Sequence, residues 1–346
     1  MPAAQALAQL DQFDAVIDAR TENEYALDHL PSAQNWPTLR DEERIIVGTL
    51  YKQVNPFEAR KRGGALAARN IANNIEAFAM DKPKHWAPLT YCWRGGQRSG
   101  SLSMVLDQIG FKVTLVEGGY KAFRAAMLED TVLLVQRLEF EVLCGTTGSG
   151  KTRLLHALAA EGAQVLDLEG LANHRSSLLG AMPGLSQPTQ KRFDTLVWDT
   201  LRRFDAERPI YVESESKKVG NLTVPVALIE RMHASPCIQL DLSNSERIEL
   251  LLEDYSHLVQ DTTYFCQRLD LMVDFRGKVV VQHWKDQVMA GDFRPVVQDL
   301  LTQHYDPSYL KSTQRNFTRY GSAYCVEAAD RSPLAMQSVA KALIER

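Results

Sequence analysis

The feature that most constrains the fold of this chain is a glycine-rich loop near its middle. An apolar run at 139–144 predicts a buried strand before the loop, and a helical pattern over 151–161 follows it. In this setting glycines let backbone N–H groups surround an anion, the helix N-terminus adds positive charge, and a lysine reaches the outer phosphates. The sequence therefore predicts a P-loop domain that binds a di- or triphosphate group. The loop consists of Gly145, Thr146, Thr147, Gly148, Ser149, Gly150, Lys151 and Thr152.

Two carboxylates are candidate partners for a magnesium ion at this loop. The hydroxyl of Thr152 can ligate Mg²⁺, and Asp167 and Glu213 each end or follow a predicted strand. Neither carboxylate lies in a strongly apolar run, so a solvated strand end is the alternative interpretation for both. The motif itself identifies a phosphate group and leaves open whether that group belongs to a nucleotide.

A second loop places a cysteine after a predicted strand and an arginine six positions later, at the start of a predicted helix. The same spacing recurs from Cys325 to Arg331, but there the intervening residues include two acidic side chains and no glycine. At Cys92, glycine N–H groups, two guanidinium groups and the dipole of the following helix favour a thiolate. We predict a nucleophilic or chalcogen-carrying cysteine; a buried structural cysteine is the alternative. The loop consists of Cys92, Trp93, Arg94, Gly95, Gly96, Gln97, Arg98 and Ser99.

Strand-like and helix-like segments alternate along most of the chain, which predicts an α/β fold with parallel sheets. We place a domain boundary after a long helix at 120–137, giving a parallel α/β domain at 1–137 and a P-loop domain at 138–346. From residue 261 onward the patterns predict a mostly helical tail. The expected strands lie at 15–18, 89–92, 112–116, 139–144, 164–168, 209–212 and 237–242. The expected helices before the tail include 65–80, 99–109, 189–206, 224–233 and 245–255.

Composition excludes several classes of protein. A hydrophobic content of 45% in 346 residues is enough for two domains with their own cores, which excludes disorder as the main state. The five cysteines form no CxxC pair and no metal-ligand spacing, which fits a reducing cytosol better than a disulfide framework. No apolar run approaches the roughly 18 to 20 residues that span a bilayer, and no leader-like pattern opens the chain. We therefore expect a soluble, cytoplasmic protein.

Several segments of the first domain resemble a rhodanese, namely 16–20, 24–25, 29–35, the cysteine loop and 116–120. The arginine follows the cysteine by six positions, as in the related phosphatases, whereas five is usual in rhodaneses. A rhodanese domain joined directly to a P-loop domain resembles the tRNA 2-selenouridine synthase family. The stretches 91–100, 143–152 and 165–175 are similar to that family, and the resemblance covers nearly the whole chain.

The resemblance implies an enzyme that acts on 2-thiouridine at the wobble position of certain tRNAs. The sulfur would be alkylated with geranyl diphosphate, and selenium from selenophosphate would then replace the S-geranyl group. The phosphate loop would hold the diphosphate leaving group, with Lys151 stabilising its charge. Cys92 would carry selenium as S-selanylcysteine, with Arg94 and Arg98 neutralising the phosphate. These donors are substrates, so we expect no tightly bound cofactor, and we expect a monomer.

The net charge of −4 conceals two blocks of opposite sign. Residues 1–50 carry a net charge of −6, whereas residues 51–100, which include the cysteine loop, carry +6. We predict that the positive block binds tRNA, with aromatic side chains available for stacking. An ordinary solvated helix face is the alternative for each side chain taken singly. The candidate tRNA contacts are Arg60, Lys61, Arg62 and Arg69, with Lys217 and Lys218 as a second group, and the candidate stacking residues are Tyr51, Trp86 and Trp93.

Two other functions stay open at this point. A phosphatase fused to a small-molecule kinase-like P-loop domain agrees with the spacing of Cys92 and Arg98, although Tyr91 precedes the cysteine where a histidine would support that chemistry. A non-enzymatic adaptor gated by a nucleotide is the second alternative. The intact Cys92 argues against it, because a rhodanese-like module that only binds a partner can dispense with the thiol.

Overall fold

The computed structural model describes residues 1–94, 96–175 and 184–346. The chain forms two compact units, of which the first contains 1–133 and 188–199 and the second contains 134–187 and 200–346. Each unit contains a parallel sheet with helices on it. The α/β class expected from the sequence is confirmed.

The first unit contains strands β1 (Ala15–Asp18), β2 (Ala33–Asn35), β3 (Pro88–Tyr91) and β4 (Thr114–Leu115). They form one parallel sheet in the order β2-β1-β3-β4. Asp18 pairs with Tyr91, so the carboxyl ends of β1 and β3 lie side by side, at the edge where the cysteine loop begins. The helices that precede β5 in the chain are α1 (Ala3–Ala8), α2 (Glu22–Leu27), α3 (Asp41–Gln53), α4 (Pro56–Phe78), α5 (Gln97–Ile109) and α6 (Gly119–Arg137).

Helices α3 and α4 form a hairpin between β2 and β3. The sequence prediction began a helix at residue 65, but α4 begins at Pro56, because the side chain of Asn55 accepts a hydrogen bond from the Glu58 N–H at 2.9 Å and proline suits the first helical position. A Cβ placed on Gly63 would lie 3.3 Å from Val47, which shows how closely the two helices pack. The hairpin carries the first group of candidate tRNA contacts, Arg60, Lys61, Arg62 and Arg69, all of them on α4.

The second unit contains strands β5 (Phe140–Cys144), β6 (Gln164–Leu166), β7 (Ile210–Glu213), β8 (Lys218–Val219), β9 (Leu222–Thr223), β10 (Cys237–Asp241) and β11 (Tyr324–Glu327). Five of them form a parallel sheet in the order β11-β10-β5-β7-β6, and β8 and β9 form a small antiparallel hairpin. The expectation of a mostly helical tail misses β11. This strand has only four residues, lies at the sheet edge and is largely exposed, so it lacks the long buried run by which the sequence marks central strands.

The remaining helices include α7, which begins at the last residues of the phosphate loop, and a group of short helices that follow β10. Among the described residues, no helix is both long enough and apolar enough to cross a membrane. The helices are α7 (Lys151–Ala160), α8 (Leu168–Ala172), α9 (Gln190–Leu201), α10 (Val226–Ala234), α11 (Asn244–Asp254), α12 (Ser256–Gln260), α13 (Thr262–Leu269), α14 (Val273–Arg276), α15 (Lys278–Met289), α16 (Phe293–Asp299), α17 (Asp306–Asn316) and α18 (Pro333–Ile344), with a π-helical segment at Leu300–Tyr305 between α16 and α17.

The structure divides the chain differently from the expected 1–137 and 138–346, because residues 188–199 pack in the first unit. The ring of Trp198, on α9, lies edge-on to Phe123 at 5.6 Å and its indole N–H donates to Asp130 at 2.8 Å. Trp198 is fully buried there. A sequence pattern assigns residues to domains only by their order along the chain. That order does not reveal that α9, which follows β6, packs in the first unit.

Candidate active sites: a cysteine loop and a phosphate loop

Cys92 lies directly after β3 and is 3% exposed. Its carbonyl accepts a hydrogen bond from the Tyr120 N–H at 2.8 Å, and the Trp93 carbonyl accepts one from the Lys121 N–H at 3.1 Å. Helix α5 begins at Gln97, which completes the strand-loop-helix arrangement expected for the cysteine loop. Gly95, which the sequence placed in this loop, lies outside the described residues.

The surroundings of Cys92 favour the thiolate. Burial alone would raise the pKa of the Cys92 thiol, but hydrogen bonds from the Ser99 hydroxyl and from the N–H groups of Ser99 and Gly96, with the charge of Arg98, outweigh it, and the pKa is lowered. The Ser99 hydroxyl is buried and has no other partner among the described residues. It is therefore free to donate to the sulfur.

The two arginines of the cysteine loop differ in their surroundings. Arg98 forms an ion pair with Glu24 at 2.6 Å, and Glu24 is also 3.6 Å from Arg44. Burial would raise the pKa of Glu24, but the hydrogen bond and charge of Arg98 lower it overall. Arg94 is exposed. Arg94 is therefore accessible to an anion from solvent, whereas Arg98 is paired with Glu24 on α2.

A buried network under the loop was not singled out as functional by the sequence. Arg20 and Asp18 form a bidentate ion pair with N–O distances down to 2.6 Å, and both are almost fully buried. The Tyr91 hydroxyl donates to Asp18 at 2.7 Å, and the Arg20 guanidinium lies 4.1 Å from the centre of the Tyr120 ring. The network joins the end of β1 to Tyr91, which precedes Cys92, and to Tyr120, whose N–H donates to the Cys92 carbonyl. Its signal in the sequence is the charged pair directly after an apolar strand.

Helix α9 contributes further cations to the same unit. The Lys191 ammonium lies 5.7 Å from the centre of the Trp93 ring, and that ring stacks on Tyr120 at 5.5 Å. Arg192 donates to the His29 carbonyl at 3.1 Å. The sequence analysis did not connect these residues with Cys92, because about a hundred positions separate them.

The backbone of the phosphate loop adopts conformations that favour glycine. Gly148 and Gly150 adopt left-handed φ values of +77° and +89°. A Cβ on Gly150 would lie 2.6 Å from the side chain of Met336. Lys151 donates to the Gly145 carbonyl at 2.7 Å, and the Gly145 N–H donates to the Tyr309 hydroxyl at 2.6 Å. Thr146, Thr147, Ser149 and Thr152 occupy the remaining loop positions, and the Ser149 hydroxyl is buried without a hydrogen-bond partner among the described residues.

Arg247, on α11, holds the phosphate loop in place. Its guanidinium donates to the Thr147 carbonyl at 2.8 and 3.0 Å and forms a bidentate pair with Asp306 at 2.6 and 3.1 Å. The side chain of Arg247 is almost fully buried. The sequence offered no signal for this role, since the three residues lie far apart along the chain.

A cluster of three carboxylates, of Glu169, Glu213 and Glu215, lies in the same unit, with ligand atoms within 4.8 Å of one another. Burial, followed by the charges of Glu169 and Glu215, raises the pKa of Glu213 well above its usual range, although Lys151 and a hydrogen bond with Thr152 oppose the shift. Glu213 is buried, so the interpretation as a solvated strand end is wrong for this residue.

Asp167, the other carboxylate that the sequence proposed for magnesium, lies outside the three-carboxylate cluster. Its side chain caps α8 by accepting a hydrogen bond from the Gly170 N–H at 2.7 Å, and its other oxygen lies 3.1 Å from the His156 ring nitrogen. These contacts give Asp167 a structural role at a helix terminus.

The candidate tRNA contacts are exposed, as are Lys217 and Lys218 beside β8. Lys61 pairs with Glu58 at 2.6 Å and lies over the ring of Phe57. Trp86 was expected to be available for stacking, and this is wrong: it is 4% exposed and packs against Trp36 and Phe111. Tyr51 is 59% exposed and Trp93 is half-buried. The exposed cations on α4 are Arg60, Lys61, Arg62 and Arg69.

Comparison with protein families matches both units. Residues 2–126 match the rhodanese-like domain, and residues 138–278 match the tRNA 2-selenouridine synthase AAA domain. The expected order, a rhodanese-like domain followed by a P-loop domain with a helical C-terminal part, is confirmed.

Curated relatives match most of the chain. A tRNA 2-selenouridine synthase of Sulfurovum sp. is 32% identical over 344 residues, which cover 90% of this chain and 93% of the relative. One of Hydrogenovibrio crunogenus is 31% identical over 343 residues, covering 89% and 93%. One of Cupriavidus necator is 38% identical over 244 residues, covering 70% and 65%. With two domain models and relatives of this extent in agreement, the chain belongs to the tRNA 2-selenouridine synthase family.

Proposed function

We propose that this chain converts wobble 2-thiouridine in tRNA to 2-selenouridine, in the cytoplasm, by two half-reactions. In the first, the 2-thiouridine sulfur takes the geranyl group of geranyl diphosphate, and diphosphate leaves. In the second, selenium from selenophosphate replaces the S-geranyl group, and geranylthiol and phosphate leave. One observation carries the proposal: this chain, a member of the family, contains both a cysteine with a lowered pKa, Cys92, and an intact phosphate loop.

The phosphate loop suits the leaving diphosphate. The backbone N–H groups at the start of α7 and the ammonium of Lys151 are the donors that stabilise charge developing on a departing phosphate. Lys151 donates to the carbonyl of Gly145, and binding of a diphosphate would exchange that hydrogen bond for a charge-assisted one.

The three-carboxylate cluster fits a divalent cation such as Mg²⁺. One oxygen of Glu213 is buried with no hydrogen-bond partner among the described residues, and its neighbours Glu169 and Glu215 supply further oxygen ligands. When bound, the ion would neutralise charge on the diphosphate. The chain's own part is to orient these carboxylates beside Lys151, whose charge opposes the raised pKa of Glu213, and Thr152, which hydrogen-bonds with Glu213.

The cysteine loop suits selenium transfer. The lowered pKa of Cys92 increases its thiolate fraction near neutral pH, and the thiolate is the nucleophilic form. The Cys92 thiolate would attack C2 of the S-geranyl-2-thiouridine and expel geranylthiolate, and the selenium of selenophosphate would then displace the Cys92 thiolate from C2. Hydrolysis of the remaining Se–P bond would release phosphate and leave 2-selenouridine, so no oxidant is needed. Arg94 is exposed at the loop, and Lys191 lies over the neighbouring Trp93. These two positive charges support the proposal that the loop attracts the phosphate of the donor.

The hairpin of α3 and α4 offers a surface for tRNA in the first unit. Its exposed cations provide contacts for phosphates, and the exposed Tyr51 provides a face on which an unpaired base can stack. Phosphate contacts of this kind position the RNA without reading its sequence.

The test is mass spectrometry of nucleosides from 2-thiouridine tRNA incubated with geranyl diphosphate, with selenophosphate, or with both. We expect S-geranyl-2-thiouridine with the first donor and 2-selenouridine with both. Cys92→Ser should retain geranylation and lose selenation, whereas Lys151→Ala should lose geranylation. Cys325→Ser and Lys341→Ala, which change exposed residues elsewhere, are the matched controls.

Two results would refute the proposal. One is normal 2-selenouridine from Cys92→Ser. The other is the absence of any product from the wild-type chain with both donors, together with hydrolysis of an aryl phosphate that Cys92→Ser abolishes, because that result would identify a phosphatase.

A further inference from the structure

An apolar pocket lies beside the phosphate loop in the second unit. Its lining comes from α11, α12, α13, α16 and the π-helical segment, and includes Leu251, Val259, Phe265 and Leu301. Thr147, in the middle of the phosphate loop, forms part of the same wall. The pocket therefore borders the phosphate loop.

The pocket wall contacts the loop at a second point. A Cβ placed on Gly148 would lie 3.0 Å from side-chain carbons of Leu251. Arg247, one helical turn before Leu251 on α11, donates to the carbonyl of Thr147. Helix α11 thus holds the phosphate loop through Arg247 and lines the pocket through Leu251, one turn later. An occupant of the pocket would therefore lie against the backbone of the loop.

The chemistry of the lining favours a hydrocarbon chain over a nucleotide base. Apart from Thr147, Tyr255 and Tyr305, every lining residue is leucine, valine or phenylalanine. Recognition of a base needs several convergent hydrogen-bonding groups, whereas a hydrocarbon chain needs only apolar surface and exclusion of water. One wall is the π-helical segment, and π-helical turns occur frequently at functional sites.

We propose that this pocket binds the hydrocarbon chain of an isoprenoid diphosphate whose diphosphate group lies in the 145–152 loop. The proposal deepens the geranyl transfer stated above and rests on it. It assigns Leu251, Val259, Phe265 and Leu301 to the isoprenoid chain. The loop and the pocket then form one site for a ligand with a charged head and an apolar tail.

The test measures binding of geranyl diphosphate and inorganic pyrophosphate to the full chain by calorimetry, without tRNA. We expect geranyl diphosphate to bind at least about tenfold more tightly, because its chain leaves water. Val259→Trp fills the pocket with another apolar side chain and should weaken geranyl diphosphate at least about tenfold, with inorganic pyrophosphate unchanged within about twofold. The matched control is Val279→Trp, at a position 85% exposed on α15, which should change neither affinity.

Three results would overturn the proposal: equal affinity for the two ligands, equal loss of both in a folded Val259→Trp variant, or tighter binding of ATP that Val259→Trp weakens. Leu301→Phe, judged by the same ratio, serves if Val259→Trp does not fold. Failure of the proposed function looks different. A wild-type chain that binds geranyl diphosphate tightly but leaves 2-thiouridine tRNA unmodified would refute the function and leave the pocket assignment standing.

Discussion

The hydroxyl of Thr195 donates a hydrogen bond to the carboxylate of Asp28 at 3.0 Å across 167 positions of sequence. Both residues are buried in the first unit, and the same carboxylate accepts a hydrogen bond from the Tyr120 hydroxyl at 2.7 Å. Arg124 and Arg192 approach it at 3.7 and 4.0 Å. This carboxylate therefore joins α9 to α6, the helix whose first residues anchor the cysteine loop.

Thr195→Val should lower the free energy of unfolding by about 1–2 kcal/mol, because it keeps the side-chain shape and leaves a buried acceptor with one donor fewer. The measurement is urea denaturation followed by tryptophan fluorescence, since Trp198 lies on the same helix. Thr302→Val, at an exposed position, is the control and should change stability by less than about 0.5 kcal/mol. Equal stability of both variants would contradict a structural role for the contact.

Ser99→Ala should raise the pKa of Cys92. Because the folded-state pKa of Cys92 is lowered from 9.0, its thiolate forms at lower pH than in an unfolded chain, and loss of the Ser99 hydroxyl removes one cause of that shift. The measurement is the pH dependence of iodoacetamide alkylation at Cys92, read by peptide mass spectrometry in a Cys325→Ser background. Ser101→Ala, on the same helix, should leave the midpoint unchanged. A midpoint for Ser99→Ala equal to that of the wild type would contradict this account.

Glu213→Gln should flatten the dependence of stability on pH. The pKa of Glu213 is raised above 4.5 in the folded chain, so its contribution to stability is fully present below that pH and is lost as the pH rises toward the raised value. A neutral amide does not ionise, so it would not lose stability as the pH rises. Without divalent cations, the stability of the variant relative to the wild type should therefore increase between pH 5 and 8. Thermal denaturation in EDTA measures this. Glu129→Gln, at an exposed position on α6, is the comparison and should follow the wild-type curve; a parallel curve for Glu213→Gln would refute the prediction.

Arg247→Lys should weaken binding of inorganic pyrophosphate by about tenfold, because an ammonium cannot make the forked contacts with both the Thr147 carbonyl and Asp306. Asp306→Asn should have part of the same effect. The double variant should be less than additive, with a coupling of about 1 kcal/mol. Calorimetry measures all three. Arg294→Lys, at an exposed position on α16, is the control, and strict additivity would show that Asp306 does not act through Arg247.

Replacing Arg60, Lys61 and Arg62 by alanine should weaken tRNA binding and reduce its salt dependence. Each lost phosphate contact lowers the slope of log affinity against log salt by roughly 0.7–0.9. Filter binding at several salt concentrations gives that slope. Alanine at Lys278, Arg294 and Lys341, three exposed cations of the second unit, changes net charge equally and should leave the slope unchanged. The same slope in both triple variants would exclude α4 from the interface.

What could be predicted from the sequence was local. Each of the two loops is one unbroken stretch of sequence, so the strand before it and the helix after it can be predicted from their order. Helix α7 begins at the expected residue, and α5 begins two residues before the expected one. Arg247 and Glu215 could not be found, because their roles depend on Thr147 and Glu169, which lie far away along the chain. Trp86 was misjudged for a related reason: an aromatic residue in a basic stretch gives no sign of whether a neighbour such as Trp36 covers it.

The return of residues 188–199 to the first unit makes the polypeptide pass between the units three times, near residues 133, 187 and 199. Neither unit is therefore a continuous stretch of chain, although residues 2–126 alone match a rhodanese-like domain. A gene fragment ending near residue 133 would encode a sheet without the helix that carries Trp198 and donates the Thr195 hydrogen bond to Asp28. The unit that contains Cys92 therefore cannot be exchanged between enzymes as residues 1–133 alone. The segment 188–199, which the gene encodes among the residues of the second unit, has to be exchanged with it.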